Sequence, residues 1–404
     1  MTPESAPRPS APLLSVVVAV YNVERWLAAC LGSIAASVPT GTEVIVVDDG
    51  STDGSAAICD EFAAGRDGWR VLHQANAGLG AARNAGLDAA TGEFVGFVDG
   101  DDELLPAYAA LPARALAAGG DVATGAVQRL EGRRRWPSGL HAQALAGVGE
   151  QATLTRQPSL LYDTTAWNKV YRRSFLADRG LRFPEGVLYE DLPVTVRALH
   201  FAGTVECVHE PVYLWRAREG ERSITQRRNE LGNLTDRFAA VRDVDRFLEA
   251  EGLHDLREAH DVKVLRLDLP LYTSALPEAD EAYRTAYLSF FRHLVDGLPP
   301  QRRQSLPPTL RLYVELADAG RMDDLVRAVR ARRGERAWAQ DDRRLPQRAR
   351  DEVAAYRLEH ELGLAGLPQI VRHAASRAVK SVLPRRARVA LATRGLGKGT
   401  GRAR

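Results

Sequence analysis

Short apolar runs alternate with alanine-rich stretches between residues 13 and 130. The runs read LLSVVVAVY, EVIVVDD, WRVLHQ, EFVGFVD and DVATGAV. Because they are nearly continuous and rich in β-branched residues, they are typical of strands that are buried on both faces of a sheet. The alanine-rich stretches between them predict helices. The pattern therefore predicts an α/β fold with a mostly parallel central sheet.

The pattern changes after residue 150. A mixed polar and aromatic part contains TTAWNKVYRRSF, FPEGVLYEDLPVTVRALHFA and CVHEPVYLWRAREGERSIT, and charge-rich segments with helical spacing follow it from residue 229. We predict four regions: a disordered leader over 1–11, an α/β domain over 12–228, a mainly α-helical region over 229–365 and a basic tail over 366–404. Supporting the main site, forming a homodimer and holding a partner enzyme are alternative roles for the helical region.

Composition favours a globular protein of the cytoplasm. Apolar residues make up 45% and charged residues 26% of 404 residues. The three cysteines, Cys30, Cys59 and Cys207, are scattered without metal-ligand spacing, which indicates reduced thiols. No apolar stretch reaches the roughly 20 residues that a membrane-spanning helix needs.

The net charge of +2 conceals an asymmetry. The last acidic residue is Glu361, and ten basic residues follow it. The chain up to Glu361 therefore holds 44 of the 54 basic residues and all 52 acidic residues, so it is net negative. The basic tail, with apolar residues between its charges, suits an anionic membrane surface at the inner face of the plasma membrane, and a solvated end explains it equally. Nucleic acid is not an expected partner, because an acidic body repels phosphates and no aromatic residue accompanies the tail charges.

Polar clusters follow the second and fourth apolar runs. Asp48 and Asp49 end the second run, and Asp99, Asp101 and Asp102 follow the fourth. Ligands of such sheets bind beyond the carboxyl ends of the strands, so we expect both clusters at one site. Three carboxylates this close repel each other unless something positive holds them. Their oxygens suit Mg²⁺ or Mn²⁺ that arrives with a diphosphate.

Helix capping is the alternative at both clusters. Ser51 or Asp53 is placed to cap the helix after the second strand, which leaves Asp49 free to accept a hydrogen bond from a ring N–H of a pyrimidine base. Asp101 or Asp102 is placed to cap a helix that starts near Pro106. Capping accounts for one carboxylate of that group and leaves the others unexplained.

The run from Gly78 to Arg83 matches part of the dinucleotide-binding fingerprint. Arg83 stands where the third glycine is needed, and the run follows the third strand instead of the first. Nicotinamide binding is therefore not expected.

Six segments, in this order, resemble glycosyltransferase family 2, the inverting nucleotide-sugar transferases of the GT-A fold. They are LLSVVVAVYNVERWLAACLGSI, EVIVVDDGSTDGS, ANAGLGAARNAGL, GEFVGFVDGDD, AWNKVYRRSF and GVLYEDLPVT, within residues 12–228. More narrowly, FPEGVLYEDLPVT, HEPVYLWRAREG and SITQRR are similar to the glycosyltransferase portion of actinobacterial proteins that also carry a CDP-glycerol glycerophosphotransferase.

The resemblance implies a GT-A fold and transfer of a hexose or N-acetylhexosamine with inversion. The implied donor is a nucleotide-diphosphate sugar, with UDP expected and dTDP left open, and the implied cofactor is Mn²⁺ or Mg²⁺. The implied acceptor is a hydroxyl group of a saccharide or polyol-phosphate polymer, as in the synthesis of cell-wall or surface polysaccharides and teichoic-acid-like polymers.

The resemblance also implies roles for residues that hold the nucleotide. Ala19 and Tyr21 match positions that line the base, and Asp49 matches the carboxylate that reads it. Asn76 and Arg83 match the segment near the base and ribose.

The D-x-D pattern of the family falls on Asp99, Gly100 and Asp101. The resemblance implies that Asp101 binds the metal directly, and that Asp99 acts through the ribose or a metal-bound water. Asp102 is a further candidate beside them.

Glu190 and Asp191 match the acidic pair of the family, in which Asp191 is the candidate base and Glu190 contacts substrate. Arg216 and Arg218 fall in the loop that closes over the diphosphate, and solvated arginines beyond an edge strand are the alternative. The segment Trp167 to Lys169 matches a recurrent segment without a clear role, where Trp167 suits the core equally.

Two hypotheses from other classes remain open. One is an inactive scaffold that binds nucleotide sugars, and the set of Asp99, Asp101 and Asp191 argues against it. The other is a nucleotidyltransferase or oxidoreductase on a related sheet, which the missing fingerprint glycine disfavours.

Overall fold

The computed structural model describes residues 11–218 and 227–332. The predicted basic tail, nearly all of the predicted leader and the last part of the predicted helical region lie outside these residues. The described residues pack as two compact units: residues 11–218, 227 and 235–260 form the first, and residues 228–234 and 261–332 form the second. The bounds of the four predicted regions stay predictions.

Ten strands form one mixed sheet in the first unit, within the described residues. In chain order they are β1 (Leu14–Val20), β2 (Glu43–Asp48), β3 (Trp69–His73), β4 (Phe94–Asp99), β5 (Glu103–Leu104), β6 (Val122–Glu131), β7 (Arg134–Pro137), β8 (Gln151–Ala152), β9 (Lys169–Arg172) and β10 (Val205–Arg216). The order across the sheet is β3-β2-β1-β4-β9-β6-β10-β5, with β7 beside β6 and β8 beside β10. The α/β fold and the five strands expected from the apolar runs are confirmed.

Strand directions bring six carboxyl ends to one edge of the sheet. β3, β2, β1 and β4 are parallel neighbours in this order. β9 runs antiparallel to both β4 and β6, so β6 has the direction of β4, and β10 is parallel to β6. The polar residues that follow β2, β4, β6 and β10 therefore gather at this edge, which is where ligands of such sheets bind.

Helices cover the sheet and continue the chain beyond it. They are α1 (Glu24–Ser37), α2 (Ser55–Ala63), α3 (Leu79–Ala89), α4 (Ala110–Ala117), α5 (Gly139–Ala144), α6 (Arg173–Asp178), α7 (Asp191–Phe201), α8 (Leu231–Ala250), α9 (His254–Lys263), α10 (Leu269–Thr273), α11 (Glu281–Asp296), α12 (Pro300–Ser305), α13 (Pro308–Asp318) and α14 (Met322–Arg332). Short 3-10 helices span Pro106–Ala109 and Pro158–Tyr162, and a π-helix spans Val264–Asp268.

Helix α3 packs on β1 with almost no space between the backbones. All seven residues of β1 are buried, and a Cβ atom added to Gly86 of α3 would overlap the side chain of Val17. The other end of α3 is equally tight, because a Cβ on Gly80 would overlap the carbonyl oxygen of Pro184. Glycine is therefore required at both positions for close packing.

Strand β10 is irregular where it passes β6. Val208 pairs with Gly125, but the next two residues of β6 pair with Pro211 and Tyr213. Over this stretch β10 advances by five residues while β6 advances by two, a surplus of three residues in β10. Because side chains alternate between faces along a strand, this odd surplus decides which face carries Tyr213 and the residues after it.

The second unit is helical, as predicted for this part of the chain. Asp280 caps α11 by accepting a hydrogen bond from the Tyr283 backbone N–H at 2.8 Å. Lys263 donates to Asp268 at 3.0 Å across the π-helix. No helix among the described residues combines the length and apolar character that crossing a bilayer requires.

Candidate active site

Two turns at the carboxyl ends of β1 and β2 hold each other. Asp53 accepts hydrogen bonds from the backbone N–H groups of Glu24, at 3.1 Å, and of Ser55, at 2.9 Å. Asp53 therefore caps both α1 and α2, which confirms capping for this residue. Ser51 instead accepts from the backbone N–H of Asn22 at 3.1 Å. These contacts fix the loop that leads from β2 into α2.

Asp49 lies at the start of this loop with its side chain buried. Its carboxylate accepts hydrogen bonds from Gln74 Nε2 at 2.7 Å, from Ala77 N at 2.9 Å and from Gly78 N at 2.8 Å. The backbone of Asp49 also binds Asn76, whose Nδ2 donates to the Asp49 oxygen at 3.1 Å. Three donors leave acceptor capacity on the carboxylate, so its predicted contact with a base N–H stays compatible with this geometry.

The other residues predicted at the base lie beside this loop. Ala19 is buried near the end of β1, and Tyr21 directly after β1 has 47% of its surface exposed. An aromatic ring in this position is open to stack on a planar ligand.

Arg83 is buried and connects two of the predicted acidic groups. Its Nη2 donates to Asp99 at 2.7 Å and its Nη1 donates to Glu190 at 2.5 Å. Burial works against the charged form, but Asp99, Glu190 and Asp191 together raise the pKa of Arg83. Its position in α3, where the dinucleotide fingerprint would have glycine, is explained by these ion pairs.

The acidic turn, residues 99–103, is held by arginines from the end of β10. Asp101 accepts from Arg218 Nε at 2.6 Å on its carboxylate, and its backbone oxygen accepts from Arg216 Nε at 2.7 Å. Arg216 also forms an ion pair with Glu103. Both arginine side chains are largely buried, at 13% and 21% exposure. The alternative that they are solvated arginines is therefore wrong.

Asp102 is the buried member of the acidic turn. It accepts hydrogen bonds from the Arg216 backbone N–H at 2.7 Å and from the Tyr213 hydroxyl at 2.9 Å, and the same hydroxyl accepts from the Asp99 backbone N–H at 3.2 Å. Burial, together with Asp101 and Asp99, raises the pKa of Asp102 well above its ordinary value. The alternative that Asp101 or Asp102 caps the helix at Pro106 is wrong. The Asp101 carboxylate binds Arg218, and the Asp102 carboxylate binds Tyr213 and Arg216 of β10.

The acidic turn offers the ligand type that a divalent ion requires. The carboxylates of Asp99 and Asp101 are 24% and 16% exposed, and carboxylate oxygen is the preferred donor for Mg²⁺ and Mn²⁺. An ion on Asp101 would take the place that Arg218 now fills. The donor chemistry fits, and the metal site stays a prediction.

Glu190 and Asp191 stand at the start of α7, where the helix dipole favours negative charge. Glu190 is buried and Asp191 is partly exposed. Burial raises the pKa of both carboxyl groups. Arg83 opposes this for both, and Arg237 opposes it for Asp191. A carboxylate with a raised pKa is a better proton acceptor, which suits the predicted role of Asp191.

The loop before Asp191 is held by the first turns of α8. Tyr189 has a left-handed backbone at φ +63°, a strained conformation for a residue with a large side chain. Arg237 lies over its ring at 4.9 Å, and Asp236 accepts from the Leu188 backbone N–H at 3.0 Å. Helix α8 thus supports the conformation that presents Asp191.

The recurrent segment Trp167 to Lys169 is structural in this chain. Trp167 belongs to the core and stacks on Tyr213 at 4.2 Å. Lys169 is fully buried and ion-pairs with Asp163 at 2.7 Å, and Asn168 donates to the same carboxylate at 2.7 Å. Trp167 therefore packs against β10, while Asn168 and Lys169 hold the buried carboxylate of Asp163.

Sequence reasoning missed Tyr213 and Arg237. Tyr213 stands in the quoted segment HEPVYLWRAREG, but its orientation depends on the irregular part of β10. Arg237 lies in the helical part, where many arginines occur and no local pattern distinguishes this one. Only the packing of α8 on the loop before Asp191 identifies it.

Comparison with known proteins adds to this geometry. Residues 15–180 match the model of Glycosyl transferase family 2, and residues 236–329 match the Glycosyl transferase TarS linker domain. The putative glycosyltransferase EpsH of Bacillus subtilis is 35% identical over 212 residues, which are 51% of this chain and 61% of EpsH. The chain spans about three fifths of the length of EpsH and of the similar EpsJ, which is 34% identical over 223 residues.

TarS of Staphylococcus aureus is similar in both sequence and structure. Described as a poly(ribitol-phosphate) β-N-acetylglucosaminyltransferase, it is 30% identical over 265 residues, which are 62% of this chain and 42% of TarS. A crystal structure of S. aureus TarS in complex with UDP-GlcNAc matches with a TM-score of 0.62 at 23% identity, covering 80% of this chain and 92% of that one.

Proposed function

We propose that this chain is an active inverting transferase that moves a sugar from a UDP-sugar to a hydroxyl group of a cell-wall or surface polymer. The match of residues 15–180 to the model of Glycosyl transferase family 2 supports this proposal. The expected GT-A fold is present, as the likeness to TarS shows. One observation carries the proposal: Arg83 ties the acidic turn directly to the Glu190 and Asp191 pair. The groups expected to meet the diphosphate and the acceptor are therefore neighbours.

The transfer step follows from these groups. The acceptor oxygen forms a bond to the anomeric carbon of the sugar, and the bond from that carbon to the diphosphate breaks. Asp191 accepts the proton of the acceptor hydroxyl, and the electron pair of the broken bond leaves with UDP. Displacement from the face opposite the nucleotide inverts the anomeric configuration. A positioned base of this kind contributes about a hundredfold to ten-thousandfold in rate.

The leaving diphosphate needs positive charge on its oxygens. Arg216 and Arg218 lie at the acidic turn, where Asp101 binds the Nε of each, and their guanidinium groups would supply N–H donors for a diphosphate. A divalent ion held by Asp101 and Asp99 would neutralise further charge on the departing phosphates. Asp49 and Tyr21 would hold the base at the neighbouring strand ends.

The relatives support a particular sugar and acceptor. TarS acts on poly(ribitol phosphate) and transfers N-acetylglucosamine, and a family model of its linker matches residues 236–329 of this chain. We therefore favour an N-acetylhexosamine donor and a polyol-phosphate or saccharide polymer as acceptor. An inactive scaffold is the second candidate, and turnover distinguishes the two.

The test uses the purified full chain with UDP-GlcNAc, UDP-Glc, UDP-Gal and dTDP-glucose in Mn²⁺ or Mg²⁺, with and without poly(ribitol phosphate). The release of nucleotide diphosphate is measured, and a calorimetric titration measures donor binding. We expect metal-dependent binding of one UDP-sugar and faster release with acceptor. Binding without turnover for every donor and acceptor would favour the scaffold.

Asp191→Asn separates chemistry from binding in the same assay. We expect its UDP-sugar affinity to stay within a factor of about three while turnover falls at least about a hundredfold, because a positioned base acts only in the reaction. Asp67→Asn, which alters an exposed carboxylate between α2 and β3, is the matched control and should keep full turnover. Turnover retained in Asp191→Asn would reject Asp191 as the base.

A further inference from the structure

Three neighbouring strands carry an aromatic and cationic row beside the acidic turn. In the register of the sheet, Arg129 of β6 lies between Trp136 of β7 and Trp215 of β10. Residues directly opposite each other on paired strands share a face, so the three side chains form one cross-strand row. We call these three residues the Trp-Arg-Trp row.

Arg129, the central residue of the row, stacks on Trp215, and one nitrogen of its guanidinium group lacks a hydrogen bond among the described residues. The guanidinium carbon of Arg129 lies 3.8 Å from the centre of the Trp215 ring. Its Nη1 is shielded from solvent and has no hydrogen-bond partner among the described residues. Arginine keeps its charge in proteins, so this nitrogen presents a charged donor without an acceptor. Packing on Trp215 explains the stacked face and leaves the donor unexplained.

The hairpin that follows the row adds three exposed arginines. Arg133, Arg134 and Arg135 lie where β6 turns into β7, and within residues 11–218 and 227–332 none of them forms a salt bridge. Glu131 stands opposite Arg134 in the register and is the nearest acidic residue along the hairpin. Arg134 lies 5.2 Å from the centre of the Trp136 ring. Because acidic residues outnumber basic ones over the chain up to Glu361, this hairpin is a locally positive surface on an acidic body.

The row and the hairpin adjoin the acidic turn. Leu130 of β6 pairs with Arg216, and the Leu130 oxygen accepts from the Ala217 backbone N–H at 2.8 Å. Arg135 of β7 also pairs with Leu130, so the hairpin arginines begin at the level of Arg216. They lie two strands away, about 10 Å across the sheet. A polymer chain that reaches the acidic turn is long enough to span this distance.

We infer that the Trp-Arg-Trp row and the hairpin arginines bind the acceptor chain, a polymer with phosphate groups between polyol or sugar units. The half-exposed indole of Trp136 stacks on the C–H faces of polyol and sugar units, while Trp215, packed on Trp167, holds Arg129 in place. The exposed guanidinium groups of the hairpin bind phosphate oxygens in a bidentate way. The inference rests on the proposed function and names the acceptor side of the same site. None of the residues proposed to hold the nucleotide or its diphosphate belongs to the row or to the hairpin arginines.

The experiment measures polymer affinity without donor, so that it does not depend on turnover. Calorimetric titrations of the full chain use poly(ribitol phosphate), inorganic polyphosphate as a polyanion without carbon units, and UDP. Three variants are compared: Arg134→Ala/Arg135→Ala, Trp136→Ala and Arg129→Met. The first two change exposed or half-exposed side chains and keep the test valid if Arg129→Met fails to fold.

We expect each variant to bind poly(ribitol phosphate) at least tenfold more weakly while its UDP affinity stays within twofold. Arg156→Ala/Arg242→Ala removes the same charge from exposed positions elsewhere and should leave both affinities unchanged. In transfer assays the acceptor KM should rise while the donor KM does not.

Two results would overturn the inference. One is unchanged affinity for poly(ribitol phosphate) in Arg134→Ala/Arg135→Ala and Trp136→Ala. The other is binding of polyphosphate as tight as that of the polymer with no effect of Trp136→Ala, which would reveal a general polyanion surface. Absence of turnover with every donor would instead reject the proposed function and leave the binding result standing.

Discussion

At the scale of single residues, the aspartates of the acidic turn are stabilised by other side chains of the same chain. Each carboxylate of the acidic turn binds a donor of the chain: Asp99 binds Arg83, Asp101 binds Arg218, and Asp102 binds Tyr213. Like charges can therefore stay adjacent without a bound ion. Substrate and metal would have to exchange with these internal partners, above all with Arg218 on Asp101.

Tyr213→Phe tests how strongly this internal network holds. The change removes the hydroxyl that donates to Asp102 and accepts from the Asp99 backbone. Because Asp102 is buried, we expect the free energy of unfolding to fall by about 1–3 kcal/mol in urea denaturation. Tyr162→Phe removes a hydroxyl with no partner among the described residues and should change it by less than about 0.5 kcal/mol. Equal effects of the two changes would contradict the assigned role of Tyr213.

At the scale of elements, α8 holds the loop before Asp191. Asp236 and Arg237 hold Leu188 and Tyr189, and Arg197 of α7 forms an ion pair with Asp243 of α8 at 2.7 Å. The family model for residues 15–180 ends before all of these contacts. The contacts that hold the loop before Asp191 therefore lie outside the part of the chain that this family model covers.

Arg237→Met tests this support. The proposed base, Asp191, would accept a proton only when it is deprotonated, and Arg237 lowers the pKa of Asp191 against the effect of burial. Without Arg237 the pKa of Asp191 rises, so the acidic limb of the profile of kcat/KM against pH should move to higher pH, and kcat should fall more than donor KM rises. Arg83, Lys169 and Asp99 also act on Asp191 and are unchanged in the variant.

The control is Arg246→Met, at a position on the same helix whose side chain is 70% exposed. Its pH profile should match that of the unaltered chain. A loss of activity in Arg237→Met without a shift of the acidic limb would indicate a structural role only.

A second pair of changes tests the packing of α3 on β1. Gly86→Ala places a methyl group into Val17 and should lower the free energy of unfolding by about 1–3 kcal/mol. Gly32→Ala in α1 meets open space and should raise it by about 0.4–1 kcal/mol. Urea denaturation of both variants measures the difference. The same sign for both would mean that helix propensity, and not the approach of α3 to β1, decides the outcome.

At the scale of the whole chain, the uneven charge predicts that the basic tail, which lies outside the described residues, binds anionic membranes. Deleting residues 372–404 removes ten basic residues and leaves an excess of acidic ones. We expect the shortened chain to lose sedimentation with anionic liposomes in low salt and to keep transfer to a dissolved acceptor. Equal sedimentation of both chains would reject a membrane role of the tail.

The sequence predicted the sheet and the positions of the acidic groups for a simple reason. Strands such as VVVAV and VIVV are apolar throughout, and parallel strands bring their carboxyl ends together, so Asp49 and Asp99 had to lie at the same edge of the sheet. The partners of these groups were not predictable. Arg237 reaches the loop before Asp191 only through the packing of α8, and Tyr213 reaches Asp102 only because β10 leaves its regular alternation.

In the irregular part of β10, the number of residues matters more for the structure than the identity of each side chain. Between Val208 and Tyr213 the strand holds an odd surplus over β6, and that surplus turns Tyr213 and Trp215 toward their partners. A missense change at exposed His209 leaves this count intact, whereas an in-frame loss of one codon there makes the surplus even and turns both rings to the opposite face. Natural variants at residues 209–212 should therefore be substitutions and not single-residue insertions or deletions.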